Sequence, residues 1–232
     1  MEHSYEVNGR THIGYFARPD TGGPAPGILV IPGGGGLGFH ARERADRLAQ
    51  TGYFAFAADL FGHKVGGLEQ AQMLTSQLTE DWPAMRARAA AALDVLRDQP
   101  GVEGDRLGAI GFCFGGQVAL ELARSGVELR AVVGFHSELE TRRPEDSSQI
   151  MGKVLVCLGN RDRFVSSQDR ERFLDEMSNS RVDCQMQVYA GVHHSFTDRH
   201  AEASGVPGLK YDEAADRRSW AAMLALFDEA FR

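Results

Sequence analysis

Short apolar runs, each closed by glycine or a polar turn and followed by a stretch with apolar positions at helical spacing, recur along most of the chain. The first, Gly27-Ile28-Leu29-Val30-Ile31, reads as a buried strand and runs into Pro32-Gly33-Gly34-Gly35-Gly36. Over 41–50 the apolar positions Ala41, Ala45, Leu48 and Ala49 fall on one helical face, and Gly52 supplies a helix stop. Tyr53-Phe54-Ala55-Phe56-Ala57-Ala58 then reads as a second buried strand ending at Asp59, an aspartate of the kind that fixes a turn. Strand, helix and strand within about 30 residues make a βαβ unit, so a parallel sheet is expected. The segment 65–99 reads as helical, with Asp81-Trp82-Pro83 marking a helix start by its N-cap candidate and early proline.

Pro100-Gly101 breaks that pattern, and a third strand is expected over 107–110 with a helix over 117–124 behind it, closed by Gly126. Further strands are expected over 130–135, 153–158 and 183–189; the last alternates polar and apolar residues, as an edge strand would. A closing helix over 213–231 places Trp220, Met223, Leu224 and Phe227 on one face. Residues before Gly27 read as a polar start without a predicted element. The pattern predicts a single domain over 1–232, an α/β fold with a mostly parallel, doubly wound central sheet and helices on both faces.

Charge narrows the partners. The 25 basic and 32 acidic residues give a net charge of −7 and are scattered, so no basic stripe points to nucleic acid or an anionic membrane. No stretch approaches the roughly 20 apolar residues that span a bilayer, and the first residues lack a basic-then-apolar leader. A small-molecule substrate and a cytoplasmic protein, monomeric or weakly dimeric, are expected. Cys113, Cys157 and Cys184 show no C-x-x-C spacing, which argues against a zinc site or a disulfide framework. Cys157 and Cys184 lie in apolar runs and are expected in the core; no metal and no cofactor is expected.

Cys113 differs. In 106–120 an apolar run ends in Gly111-Phe112-Cys113-Phe114-Gly115-Gly116 and passes into a helical pattern, the strand, sharp turn and helix of a nucleophile elbow with cysteine in place of serine. The flanking glycines suit strained backbone angles, and a helix start favours thiolate over thiol. A packed turn around a buried thiol is the competing reading. The Gly33–Gly36 run is open to three uses: a phosphate cradle, which lacks the Gly-Lys-Ser/Thr that should follow; an oxyanion hole of bare amides; or a flexible turn.

Ligands in doubly wound sheets bind outside the carboxyl ends of the strands. Those ends carry Gly33 to Gly36, Asp59, Cys113, His136, Asp162 and the pair His193/His194. Cysteine, acid, histidine is the chain order of a hydrolase triad. The histidine would move a proton near neutral pH, the aspartate would fix its tautomer, and the thiolate would attack an acyl carbon. The amide of Phe114 and one from the glycine run would hold the oxyanion, each donor contributing roughly 3 kcal/mol of barrier lowering.

The sequence also resembles the dienelactone hydrolase family of α/β-hydrolases over almost its whole length. The resemblance rests on Ala45-Asp46-Arg47-Leu48-Ala49 with Gly52-Tyr53, on Ala57-Ala58-Asp59-Leu60-Phe61-Gly62, and on Ile110-Gly111-Phe112-Cys113-Phe114-Gly115-Gly116. Gly159 with Asp162, Tyr189-Ala190-Gly191-Val192-His193-His194-Ser195-Phe196 and Arg218-Ser219-Trp220 extend it. It implies cofactor-free hydrolysis of an ester or lactone, with Cys113 as nucleophile, Asp162 as acid and His194, before Ser-Phe, as base. It puts the oxyanion donors on Phe114 and Gly34, and Gly33, Gly35, His136, Phe196 and Arg199 are expected near the substrate. Two positions depart from family members that process dienelactone: Gly33 stands where they carry a glutamate that pairs with the resting thiol, and Asp198, followed by Arg199, stands where they carry a carboxylate-binding arginine. An ester or lactone without that carboxylate is therefore expected. A thioesterase or acyltransferase with the same triad, or a non-catalytic redox-sensing or binding protein with an accessible thiol, are the alternatives.

Overall fold

The computed structural model describes residues 1–20 and 22–232. Strands β1 (Glu2–Val7), β2 (Arg10–Ala17) and β3 (Ala25–Ile31) come first, then helix α1 (Phe39–Gln50), strand β4 (Phe54–Ala57) and helices α2 (Leu68–Glu80) and α3 (Trp82–Arg97). Strand β5 (Val102–Phe112), helix α4 (Phe114–Arg124) and strands β6 (Ala131–Phe135) and β7 (Lys153–Gly159) follow. Helix α5 (Ser167–Asn179), strand β8 (Cys184–Tyr189) and helix α6 (Glu213–Ala230) complete the chain. The strands form one sheet in the order β1-β2-β4-β3-β5-β6-β7-β8, parallel from β4 to β8, with β1 and β2 antiparallel at one edge.

Alternation along the central strands sorts the core into two layers. Leu29 and Ile31 of β3 face a cluster with Phe56, Leu93, Leu96 and Val118, while Ile28 and Val30 face Ala45, Leu48, Met223 and Phe227. Both faces are thus covered, which is why these strands read as continuous apolar runs. Asp81 closes α2 and caps α3, accepting a hydrogen bond from Ala84 N at 3.1 Å, so the 65–99 stretch is two helices meeting at that residue. Strand β8 pairs only with β7 and is the far edge. Cys157 is buried in β7, whereas Cys184 on the edge strand is only half-buried, against the expectation of a core position. No helix among the described residues is long and apolar enough to cross a membrane.

The polar start is where the sequence reading falls short, because it holds the β1–β2 hairpin. Asn8 and Gly9 have φ of 51° and 75°, the left-handed pair that a two-residue hairpin turn needs, and Asn-Gly supplies it with little strain. Tyr5 and Val7 alternate inward, and the Tyr5 hydroxyl donates to Asp59 O at 2.8 Å. The Asp59 carboxylate accepts from the amides of Ile13, Phe61 and Gly62, so this residue pins the hairpin to the end of β4 and acts as a turn former.

Helix α4 is buried along its whole length, its polar residues included. Glu121 and Arg124 are fully enclosed and pair at 2.8 Å; Arg86 from α3 also reaches Glu121 at 2.8 Å, and Glu176 from α5 lies 2.7 Å from Arg124. Charges so placed hold only because each is paired. The α4 helix is thereby tied to its neighbours at its C-terminal half, while its first residue follows Cys113.

Candidate active site

Cys113 joins β5 to α4 with φ 54° and ψ −125°, angles that cost a non-glycine residue about 1–3 kcal/mol. The turn is tight because backbone touches backbone. A Cβ on Gly111 would stand 2.0 Å from Gly115 O, and one on Gly115 would stand 2.3 Å from the carbonyl oxygens of both Ile31 and Pro32. Only glycine fits either place. Cys113 N donates to Phe135 O at 3.0 Å, which anchors the turn to the neighbouring strand, and the thiol remains half-exposed.

Asp162 and His194 are both buried, and His194 Nδ1 stands 2.7 Å from Asp162 Oδ2. The other carboxylate oxygen accepts from Phe164 N at 2.8 Å, so the acid is oriented from both sides. His194 is carried by a loop that crosses the end of β7, where Arg161 N donates to Val192 O at 2.9 Å and Ser195 turns the chain at φ 57°. The imidazole is pushed up to about 10: burial works against its charged form, but the charge of Cys113, the hydrogen bond to Asp162, the hydrogen bond to Cys113 and the charge of Asp162 together outweigh it. The shift favours the charged form of the ring beside the Cys113 thiol group. The other two cysteines cannot compete, since burial pushes both Cys157 and Cys184 up to about 12, with Asp183 and Glu176 adding to the effect on Cys184.

The glycine run is an ordered turn. Gly36 has φ 71° and donates to Gly33 O at 2.9 Å. Gly33 adjoins Cys113: an added Cβ would be 3.4 Å from Cys113 Cβ and 4.0 Å from its Sγ. A Cβ on Gly34 would meet Thr75 at 3.1 Å, and Gly35 faces open space. Phe114 opens α4, where the first amides have no intrahelical acceptor, and Gly34 N makes no backbone hydrogen bond among the described residues.

Of the residues expected near substrate, His136 and Phe196 are buried and Arg199 is exposed beside Tyr211. His136 is 2 % exposed and packs beneath His194, because its φ of 38° turns it inward at the end of β6. Phe196 is 0 % exposed and packs on His136 and Tyr189 as part of the core. Arg199 is exposed and reaches over the Tyr211 ring, 5.9 Å from its centroid, beside Glu43, Arg47 and Asp216 in a shallow depression of about 190 Å³. In exchange the structure brings in two residues that the sequence reading passed over. The Phe164 ring, 50 % exposed, packs 4.7 Å from His194. Glu138, whose N–H points to Cys113 O at 3.4 Å, is a half-buried carboxyl without a side-chain partner among the described residues. Burial raises its pKa, the charge of His194 pulls it back, and the charges of Glu140 and Asp162 raise it further. Glu138 follows a strand end that had already been marked by His136, which was the available signal. Among the described residues no three His, Cys, Asp or Glu side chains cluster as ligands for a metal ion.

The sequence profile of the dienelactone hydrolase family matches residues 13–231. The chain belongs to the dienelactone hydrolase family. A solved structure named m3DLH is 46 % identical, covers 100 % of this chain and 98 % of its own, and superposes with a TM-score of 0.96. A dienelactone hydrolase-like promiscuous phosphotriesterase from metagenomic libraries is 41 % identical with a TM-score of 0.95, covering 100 % of this chain and 98 % of that one. A Bradyrhizobium protein named "Probable 2-oxo-3-(5-oxofuran-2-ylidene)propanoate lactonase" is 27 % identical over 210 residues, which is 85 % of this chain and 84 % of the relative. As a dienelactone hydrolase family member, the protein is a carboxylic ester hydrolase.

Proposed function

We propose that the protein hydrolyses a small ester or lactone with no carboxylate beside the reacting carbonyl, using Cys113 as nucleophile, His194 as acid and base, and Asp162 to orient His194. The observation that carries this is the Asp162–His194 pair, 2.7 Å apart and buried, acting on a thiol held at the strained elbow. Attack by the sulfur on the carbonyl carbon forms a C–S bond and an oxyanion, for which the amides of Phe114 and Gly34 are the donors. Collapse breaks the carbon–oxygen bond, and the alkoxide leaves with the proton from His194. In the acyl-enzyme the sulfur no longer carries charge. The main influence raising His194 is then gone, burial gains weight, and the ring can take a proton from the attacking water. Hydroxide addition and expulsion of the thiolate release the acid and restore the ion pair.

The substrate's charge follows from what surrounds the site. Glu138 is a second acid close enough to His194 for their charges to interact, and Arg199 is engaged by Tyr211, so a carboxylate on the substrate would meet a like charge and find Arg199 turned away. Phe164 offers an exposed apolar ring for an acyl or alcohol group. The 41 % identical phosphotriesterase supports a second reaction at the same site, displacement at the phosphorus of an uncharged phosphotriester.

Turnover of p-nitrophenyl acetate by the native chain and by Cys113→Ala, with mass spectrometry of the acylated protein, tests the assignment. Loss of turnover by about a thousandfold and an acetyl adduct on Cys113 are expected. Full turnover by Cys113→Ala, with no adduct on the native thiol, would overturn it. A competing thiol or amine added to the assay separates hydrolysis from acyl transfer.

A further inference from the structure

His136 touches the base of the proposed reaction without a part in it. Its ring centroid is 5.0 Å from that of His194, the planes meeting at 64°. A chain of polar contacts holds the ring. The Arg44 Nε–H donates to His40 Nε2 at 3.3 Å, the Thr197 hydroxyl lies 3.2 Å from the same nitrogen, and His136 Nε2 is hydrogen-bonded to that hydroxyl at 2.8 Å. The buried His136 Nδ1 has no partner among the described residues. Arg44, 1 % exposed, is itself fixed by Asp216 at 2.9 and 3.1 Å and by a bond to Thr197 O.

This arrangement is expensive for mere packing. An orphaned buried polar atom costs about 1–3 kcal/mol, and a left-handed backbone at a residue with a side chain adds a similar amount. Phe112, Phe135 and Phe196 pack in the same region, so a phenyl ring at 136 would fit the local chemistry without the orphan.

We propose that His136 is a positioning residue for His194: an uncharged imidazole, held by Thr197, that braces the inner side of the base and gives its imidazolium a polar neighbour without a competing positive charge. The inference rests on His194 acting as the base of the proposed reaction. Burial, followed by the charges of His194, His40 and Arg44, holds His136 well below its ordinary pKa, so it stays neutral while His194 cycles. His194 is faced in turn by Cys113, Asp162 and Glu138, and His40 by Arg44, Asp198 and Asp216. Phe164 packs on the same ring from the solvent side, completing the brace.

Two variants test this. His136→Phe keeps a ring and removes both nitrogens, and Thr197→Val removes the hydrogen-bond partner of Nε2 while leaving His136 in place. Turnover of p-nitrophenyl acetate and the titration of the His194 imidazole by NMR are read on both, after circular dichroism has established folding. In each, kcat is expected to fall by about tenfold with KM within about twofold, and the His194 titration to move down by about half a pH unit or more. Native kcat and an unmoved titration in the folded variants would overturn the proposal, even with a lowered Tm, and leave His136 as packing. If His136→Phe does not fold, Thr197→Val decides by the same two readouts. The NMR titration needs no turnover, so it separates failure here from failure of the hydrolytic scheme, which Cys113→Ala reports.

Discussion

Gly159 and Val192 meet backbone to backbone: a Cβ on the glycine would lie 2.2 Å from the valine carbonyl oxygen. The contact seats the loop carrying His194 on the end of the strand that leads to Asp162. Gly159→Ala should therefore lift the loop, lengthening the 2.7 Å bond between the two. A stability loss of about 1–3 kcal/mol by chemical denaturation is expected, together with a fall in kcat larger than the change in KM. An unchanged kcat would mean that the loop is held by its other contacts.

Strain at Cys113 gives a comparison between two variants that lack the thiol. Cys113 sits at φ 54°, which alanine adopts no more readily than cysteine but glycine adopts freely. Cys113→Gly should be more stable than Cys113→Ala by about 1 kcal/mol in urea or thermal unfolding, although both lack the sulfur. Equal stabilities would show that the elbow is not strained.

Two histidines set opposite ends of the stability–pH curve. His194 is raised to about 10 in the folded state, so its contribution is complete below an unfolded value near 6.5 and is lost as pH climbs through about 10. His40 is lowered to about 4, first by burial and then by Arg44, so its contribution is complete above about 6.5 and is lost as pH falls towards about 4. Tm measured across this range should peak between the two limits. In Cys113→Ser the alkaline limb should shift to lower pH, because the sulfur's charge no longer supports the imidazolium; an alkaline limb in the same place would remove Cys113 from that role.

Glu138 should discriminate by charge. For a pair of p-nitrophenyl esters matched in length, one neutral and one ending in a carboxylate, Glu138→Gln should raise the ratio of kcat/KM for the anionic over the neutral ester by about tenfold, as expected for like charges a few ångströms apart at a protein surface. An unchanged ratio would show that the substrate does not pass this side chain.

The central strands were legible because burial on both faces writes them as unbroken apolar runs, and the turns after them were marked by glycine. The β1–β2 hairpin was passed over although Asn8-Gly9 announces it, because an edge hairpin with one wet face lacks such a run. That Asp162 would pair with a histidine of the His193/His194 pair could be anticipated from chain order, and the family resemblance chose His194. What stands around them could not be anticipated. Phe196 is two residues from His194 yet points into the core, since Ser195 reverses the chain between them, and Arg199 follows a loop that carries it to Tyr211. Neighbourhood in sequence does not give direction in a loop. Glu138 and Phe164 gain their places from loop shape, and His136 from a backbone angle that composition does not reveal.

The enclosed charges of Glu121 and Arg124 bear on how this hydrolase can change. Shifting α4 along its axis would break their pairs with Arg86 and Glu176, and the glycines at its other end leave no slack either. Cys113 is carried on a fixed post. Change is then left to the surrounding loops, where Gly35 faces open space and Phe164 is half-exposed, so substitutions there can reshape what surrounds the thiol while the elbow stays in place.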